Sequence, residues 1–460
     1  MQQYGINYKE TFAGTTKPVV LRLLLAIACF NKLVIYKWDI KQAFPTAPID
    51  EEIYVEQPTN YSSNNLVCRL NKALYGLKQA ARQWQLLLTS ILSKLGFYNL
   101  VGDTSIYISG SRDIMLAVYV DDILVFAKDT PSIKELYNDL VRAKLDVVDL
   151  GEVKEYLGIE IYREEYSLQI TQQGFINRLL KRYNKDNIKP KTTPYILGLK
   201  YEPYTEKALP ADINRFQQEI GSLIYLTIYT RPDLTYAVNF IARFMSNPSP
   251  EHFKALDQIW GYLKETSNYA ISIDLTSLKS LIQSANYKLN IKGYSDADWG
   301  GDPATRKSTS AYINILGLVS NSKDEYLVKW PISWHSKLQK TVALSSCEAE
   351  YMAYKEAIKE SIFIRNIIRE LPSKFKDRFE CVRDIYTDSQ SGIELAKNPL
   401  YHARTKHVDI RYNFIREKVS SKEIELLYYP TDSLLADGLT KAIPPNKWRE
   451  FIDGIGLIRL

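Results

Sequence analysis

At 460 residues the chain is about three times the ~150 residues of a common domain, so two or three units are expected. Hydrophobic residues make up 45% and charged residues 24%, which excludes a wholly disordered or collagen-like chain, while a net charge of +6 is too mild to identify a partner. Cys29, Cys68, Cys347 and Cys381 are widely separated, and His252, His335, His402 and His407 are scattered. That argues against a disulfide framework, a zinc finger or a histidine metal cluster, and for a reducing compartment.

Residues 2–4 carry no basic segment of a secretory leader, and no targeting address is readable. The apolar run 19–30 contains Arg22 and is about a dozen residues long, which suits a buried helix better than a membrane span of roughly 20 residues. Residues 33–40 read as a mostly buried strand, and a helical pattern runs from about Ala80 to a stop at Gly96. Two apolar runs in 114–127 flank one acidic pair, the pattern of a hairpin. Pro190, Pro194, Pro203 and Pro210 break regular structure and mark a linker. Residues 212–266 are mainly helical by spacing. Strand, turn and strand follow Gly293, then a helix over 348–371, a strand at 383–387, another helix, a strand at 424–429 and a final helix near 434–441. The order predicts two α/β units joined by a helical segment.

Asp121 and Asp122 lie between the two apolar runs of the hairpin, and Asp39 ends another apolar strand. A surface turn bearing two acids is the plain alternative, since a hairpin tip spares carboxylates most of the cost of burial. Three carboxylates on neighbouring strand ends would instead make a hard-cation site suited to magnesium.

Tyr119-Val120-Asp121-Asp122 resembles the YxDD signature of reverse transcriptases, and Trp38-Asp39-Ile40-Lys41-Gln42-Ala43-Phe44 resembles their first aspartate motif. The segment from Arg69 through Leu74-Tyr75-Gly76-Leu77-Lys78-Gln79 is similar to the template and nucleotide-positioning motif of copia-type LTR retrotransposons, and Tyr156-Leu157-Gly158-Ile159-Glu160-Ile161 to the following primer-grip strands. The resemblance implies that Asp39, Asp121 and Asp122 hold two magnesium ions, with manganese as the alternative. It also implies that Phe44 excludes a ribose 2′-hydroxyl, Gly76 lets the backbone approach the nucleotide, and Lys78 lies near the template. A core phenylalanine, a turn glycine and a solvated lysine are the bland readings of those three. Ala81 stands where the family often has proline.

Asp296, Glu348, Asp388 and Asp437 follow in the Asp-Glu-Asp-Asp order of ribonuclease H. Their surroundings, Gly293 to Trp299, Arg306 to Ser310, Ala343 to Ser346 and Lys406 to Tyr412, resemble copia-type elements. Ser345 to Glu348 also fits the S-x-x-E capping box, so Glu348 could simply satisfy a helix start. Asp388 or Ser389 could be an N-cap, and Asp437 a solvated residue. The resemblance makes the four acids ligands of a second magnesium pair, with Asp298 and Asp409 as runners-up. No histidine precedes Asp437 within 430–436, where many ribonucleases H carry one.

Basic residues gather at His402, Arg404, Lys406, His407, Arg411, Arg416 and Lys418, and the helical region adds Arg231, Arg243, Lys254 and Lys264. As a group they are expected to contact nucleic-acid phosphates, although a solvated face explains any one of them.

The implied architecture is an α+β and α/β multidomain chain. It comprises a right-hand polymerase palm with partial fingers (1–190), a linker and helical thumb or connection (191–290), a ribonuclease H-like domain (291–445) and a C-terminal tail (446–460). The implied activity is RNA-directed DNA polymerase, a nucleotidyltransferase, with ribonuclease H endonuclease action. The partners would be an RNA template, a DNA primer, RNA–DNA hybrid and dNTPs, without a membrane. An intracellular location follows, in a cytoplasmic particle or the nucleus. The family's cationic fingers strand would precede Tyr4, so weak polymerisation is expected, with ribonuclease H affected less. The alternatives are a hybrid-binding relic without turnover, or ribonuclease H alone.

Overall fold

The computed structural model describes all residues except 1, 59, 62–65, 199–200, 285–286, 321–322, 381–382 and 398–405, and the backbone alone at 320, 323–325 and 406–412. The chain divides into two compact units, Met1–Tyr156 with Glu370–Pro372, and Leu157–Arg369 with Ser373–Leu460. The segments expected as thumb or connection and as ribonuclease H therefore share one unit.

In the first unit the helix Pro18–Phe30 starts with proline at its first position, where no amide bond is lost. Apart from Arg22 it is apolar on every side, and it is buried from Val19 onward, as an all-round hydrophobic helix must be. The antiparallel strands Ile106–Ser109, Ile114–Tyr119, Asp122–Ala127, Val34–Ile40 and Val147–Glu152 hydrogen-bond in that order. Trp38, Leu116, Ile123 and Val125 from this sheet pack with Trp84 and Leu88 of the helix Ala80–Lys94 and with Leu136 of the helix Thr130–Arg142.

In the second unit the strands Lys323–Leu338, Thr309–Ser320 and Leu289–Ala297 form an antiparallel meander. Asp384–Thr387 and then Glu425–Tyr428 add parallel strands beside it. The helix Ser346–Glu370 contributes Tyr351, Tyr354 and Ile358 to a core shared with Ile385, Ile415 and Leu426.

Another run of pairing strands, Ile159–Glu164, Ser167–Thr171 and Tyr269–Asp274, is extended by Leu457–Arg459. Residues 446–460, expected as a tail, are thus a helix, Pro445–Gly454, and a paired strand. Trp448, Phe451 and Ile455 are buried and anchor them. The helix expected near 434–441 is instead a 3-10 turn, Leu435–Leu439. No described helix is long and apolar enough to cross a membrane.

Candidate active sites

The hairpin of the first unit closes on the pair Tyr119–Asp122, leaving Val120 and Asp121 at its tip. Val120 has φ +59°, a left-handed conformation that costs a β-branched residue energy and persists only where its surroundings enforce it. Two bonds do so: Trp84 Nε1 donates to Val120 O at 2.7 Å, and Ile40 N donates to Asp121 O at 2.9 Å. Asp39 pairs in register with Asp122, so all three predicted carboxylates gather at one end of adjacent strands.

Lys37 Nζ lies 2.9 Å from Asp122 Oδ1. Burial raises the Asp121 carboxyl above its ordinary value, and the charges of Asp122 and Asp39 add to this against its own backbone hydrogen bond and Lys37. Tyr75 was not singled out in the sequence, yet its hydroxyl is raised by burial and then by the charges of Asp121 and Asp39. Its ring centroid is 4.7 Å from that of Phe44, which also packs against the core. Gly76 has φ +99° with open space around its Cβ position, so its backbone conformation, and not crowding, calls for glycine. Lys78 is exposed, and its ammonium donates to Tyr8 OH at 3.1 Å over that ring.

The second set is built by strand register. Tyr294 pairs with Tyr386 in parallel strands, so Asp296 and Asp388, each two residues further on, emerge side by side at the same end of neighbouring interior strands. Asp437 joins them from the 3-10 turn, and each of these three offers an oxygen within 4.8 Å of the others. Thr440 Oγ1 donates to Asp296, and Lys441 Nζ is 2.9 Å from Asp437 Oδ2. Burial, then Asp437, pushes the Asp296 carboxyl up to about 7. Burial lowers the Lys441 ammonium, but Asp437, Asp296 and Asp388 outweigh it and leave it above its ordinary value.

Glu348 is not brought into this group. Its Oε2 accepts from Leu344 N at 2.7 Å, and its own amide donates to Ser345 Oγ at 3.1 Å, so it caps the helix. Glu350 stands with the aspartates instead. It is buried, and its carboxyl is raised well above the ordinary range by burial and by the charges of Asp296 and Asp388. Among the described residues the buried Glu350 Oε2 and Asp437 Oδ1 have no hydrogen-bond partner. Such carboxylate oxygens are a hard donor set that fits a divalent cation. Asp298 is held elsewhere: it accepts from Thr309 N and pins the 298–309 turn. The Asp409 side chain lies outside the described residues.

Residues 1–197 match the family model for reverse transcriptase (RNA-dependent DNA polymerase). Over 99% of its length the chain is 36% identical to a retrovirus-related Pol polyprotein from transposon TNT 1-94 of Nicotiana tabacum, covering 33% of that protein. Over its full length it is 36% and 34% identical to the Pol polyproteins of transposons RE1 and RE2 of Arabidopsis thaliana, covering 30% of each. The chain belongs to the copia-type retrotransposon Pol family. It spans about a third of the length of these curated relatives.

Within this Pol segment the cations expected on nucleic acid fare unevenly. Arg231 is fully buried, donates to both carboxylate oxygens of Asp233 and bonds Thr266, so it cannot reach a phosphate. Arg243 pairs with Asp302 at 3.1 Å and Lys254 with Glu251 at 2.7 Å, and Lys264 Nζ donates to Ile188 O. Lys418 is held by Glu423 and Glu417, and Arg416 donates to Leu395 O. Arg404 and His402 lie outside the described residues. Lys406, His407 and Arg411 lie on the helix Lys406–Ser420, whose side chains through residue 412 are not described.

Proposed function

We propose that this Pol segment is an RNA-directed DNA polymerase with ribonuclease H activity, one set of carboxylates serving each reaction. The observation that carries the polymerase reading is the Asp39–Asp122 register beside the strained Val120–Asp121 tip. Asp39, Asp121 and Asp122 would hold magnesium in the first unit, and Asp296, Glu350, Asp388 and Asp437 in the second. When bound, two such ions stabilise the attacking and leaving oxygens of an in-line phosphoryl transfer.

The chain's own residues do the rest. The two backbone bonds at the hairpin tip fix where Asp121 and Asp122 present their oxygens to a primer terminus. Phe44 and Tyr75 form an aromatic wall next to those carboxylates, suited to the sugar of an incoming dNTP. Gly76 keeps the neighbouring backbone open. In polymerisation the primer 3′-oxygen bonds the α-phosphorus and pyrophosphate leaves. In the second unit water attacks a phosphodiester of the RNA strand, and the 3′-oxygen leaves. Thr440 and Lys441 orient Asp296 and Asp437 there.

Support for two reactions comes from the two separate carboxylate groups together with the reverse-transcriptase match. The test is primer extension on an RNA template and cleavage of a labelled RNA–DNA hybrid, both with magnesium. Extension lost in Asp121→Asn and cleavage lost in Asp296→Asn supports both halves. Activity equal to the parent protein in either variant removes that half.

A further inference from the structure

Among the described residues Asp122 alone of the first carboxylate group has an ion pair, and its partner is Lys37. Strand alternation explains the meeting. Lys37 and Asp39 are two residues apart in Val34–Ile40, so they leave the same face. Asp39 lies opposite Asp122 and Lys37 opposite Leu124, which puts the ammonium diagonal to Asp122. Leu124 is fully buried and offers no charge. Lys37 Nζ reaches the other way, to Asp122 Oδ1 at 2.9 Å, with 24% of the lysine side chain exposed.

Like charges directly opposite each other on adjacent strands repel, and Asp39 and Asp122 are such a pair. The Asp121 carboxyl, raised by burial and by Asp122 and Asp39, is drawn back by its own backbone bond and by Lys37. A partly exposed ion pair of this kind adds little to folding stability. Its charge matters more for what else shares these oxygens, because an ammonium on Asp122 opposes any further cation at the three carboxylates. The second unit repeats the arrangement with different elements. There Lys441, four residues after Asp437, lies 2.9 Å from Oδ2 of that last acid of its group. A strand diagonal and a single turn thus reach the same result, one ammonium on the last carboxylate.

We propose that Lys37 is a resident counter-cation of the first carboxylate group: it offsets Asp122 while no divalent ion is bound, and so sets the metal concentration at which the site loads. Lys37 acts through Asp122 and is a positioning residue. The proposal rests on the reading that Asp39, Asp121 and Asp122 hold a divalent cation.

Manganese binding to the full chain, without nucleotide, is measured by titration calorimetry. Every protein carries Asp296→Asn/Asp388→Asn, which silences the second carboxylate group. Lys37→Gln keeps a donor for Asp122 and removes the charge, and Lys37→Met removes both. Each should tighten manganese binding about tenfold or more, because a positive charge close to the ion is gone. Lys37→Arg keeps the charge and should stay within about threefold of the Lys37 protein. Thermal melting in EDTA reports folding of every variant. One fixed manganese concentration should then raise the melting temperature of the two neutral variants more than that of the Lys37 protein, as tighter binding requires. Weaker binding in both neutral variants would overturn the proposal and make Lys37 a clamp that only orients Asp122. Unchanged binding would overturn it as well. Manganese bound by none of these proteins would fault the cation reading of Asp39, Asp121 and Asp122 itself, and the proposal with it.

Discussion

Glu348 and Glu350 stand two residues apart at the start of one helix, and their carboxylates do opposite things. Glu348 turns back to accept from Leu344 N, whereas Glu350 is buried beside Asp296. Two residues of an α-helix are about 200° of rotation, so the two side chains leave on opposite faces. Glu350→Gln should abolish hybrid cleavage. Glu348→Gln should keep most of it and lose about 0.5–1 kcal/mol of stability from a weakened helix start. The reverse pattern in a cleavage assay would return Glu348 to the site.

Arg231 and Asp233 form a fully buried, two-bond ion pair. Removing one partner leaves an uncompensated charge, so Asp233→Asn should cost about 3–5 kcal/mol in denaturant unfolding. A change under 1 kcal/mol would contradict the role given to this pair.

Four carboxyls crowd the second site, and their mutual repulsion is what a cation relieves. Magnesium at 100 times its dissociation constant should stabilise the protein by about 2.7 kcal/mol, reversibly with EDTA. Asp437→Asn should shrink that shift, since one open acceptor is lost. A melting temperature indifferent to magnesium would count against a cation site.

His252 accepts from Ser249 N at its Nδ1, 2.9 Å away, an acceptance that protonation forbids. Burial holds its pKa below the ordinary 6.5, with its Glu202 backbone bond and Glu251 opposing. The unfolded chain therefore takes up the proton first, so this contribution is complete above pH 6.5 and fades as pH falls through the lower folded value. His252→Gln keeps an acceptor without titrating and should flatten the stability slope below pH 6.5. An unaltered slope would remove His252 as a source.

Much of this was legible in the chain itself. Apolar runs around Asp121 and Asp122 carry the pattern of a hairpin, and Asp296 and Asp388 each end a readable strand. Glu350 was hidden because the S-x-x-E pattern draws the eye to Glu348, while helix rotation decides which acid faces the sheet. Arg231 read as a surface cation because its partner Asp233 sits inside the same short turn, where sequence shows proximity but not burial. Leu457–Arg459 is three residues long, too short for a periodic signal, and only its pairing with Tyr269–Ile271 makes it a strand.

The central claim is that Asp39, Asp121 and Asp122 form a polymerase site. Primer extension on an RNA template with magnesium and dNTPs tests it most directly, comparing the protein with Asp121→Asn. The account predicts template-dependent extension that falls at least a hundredfold in the variant. Equal extension by both proteins would contradict it.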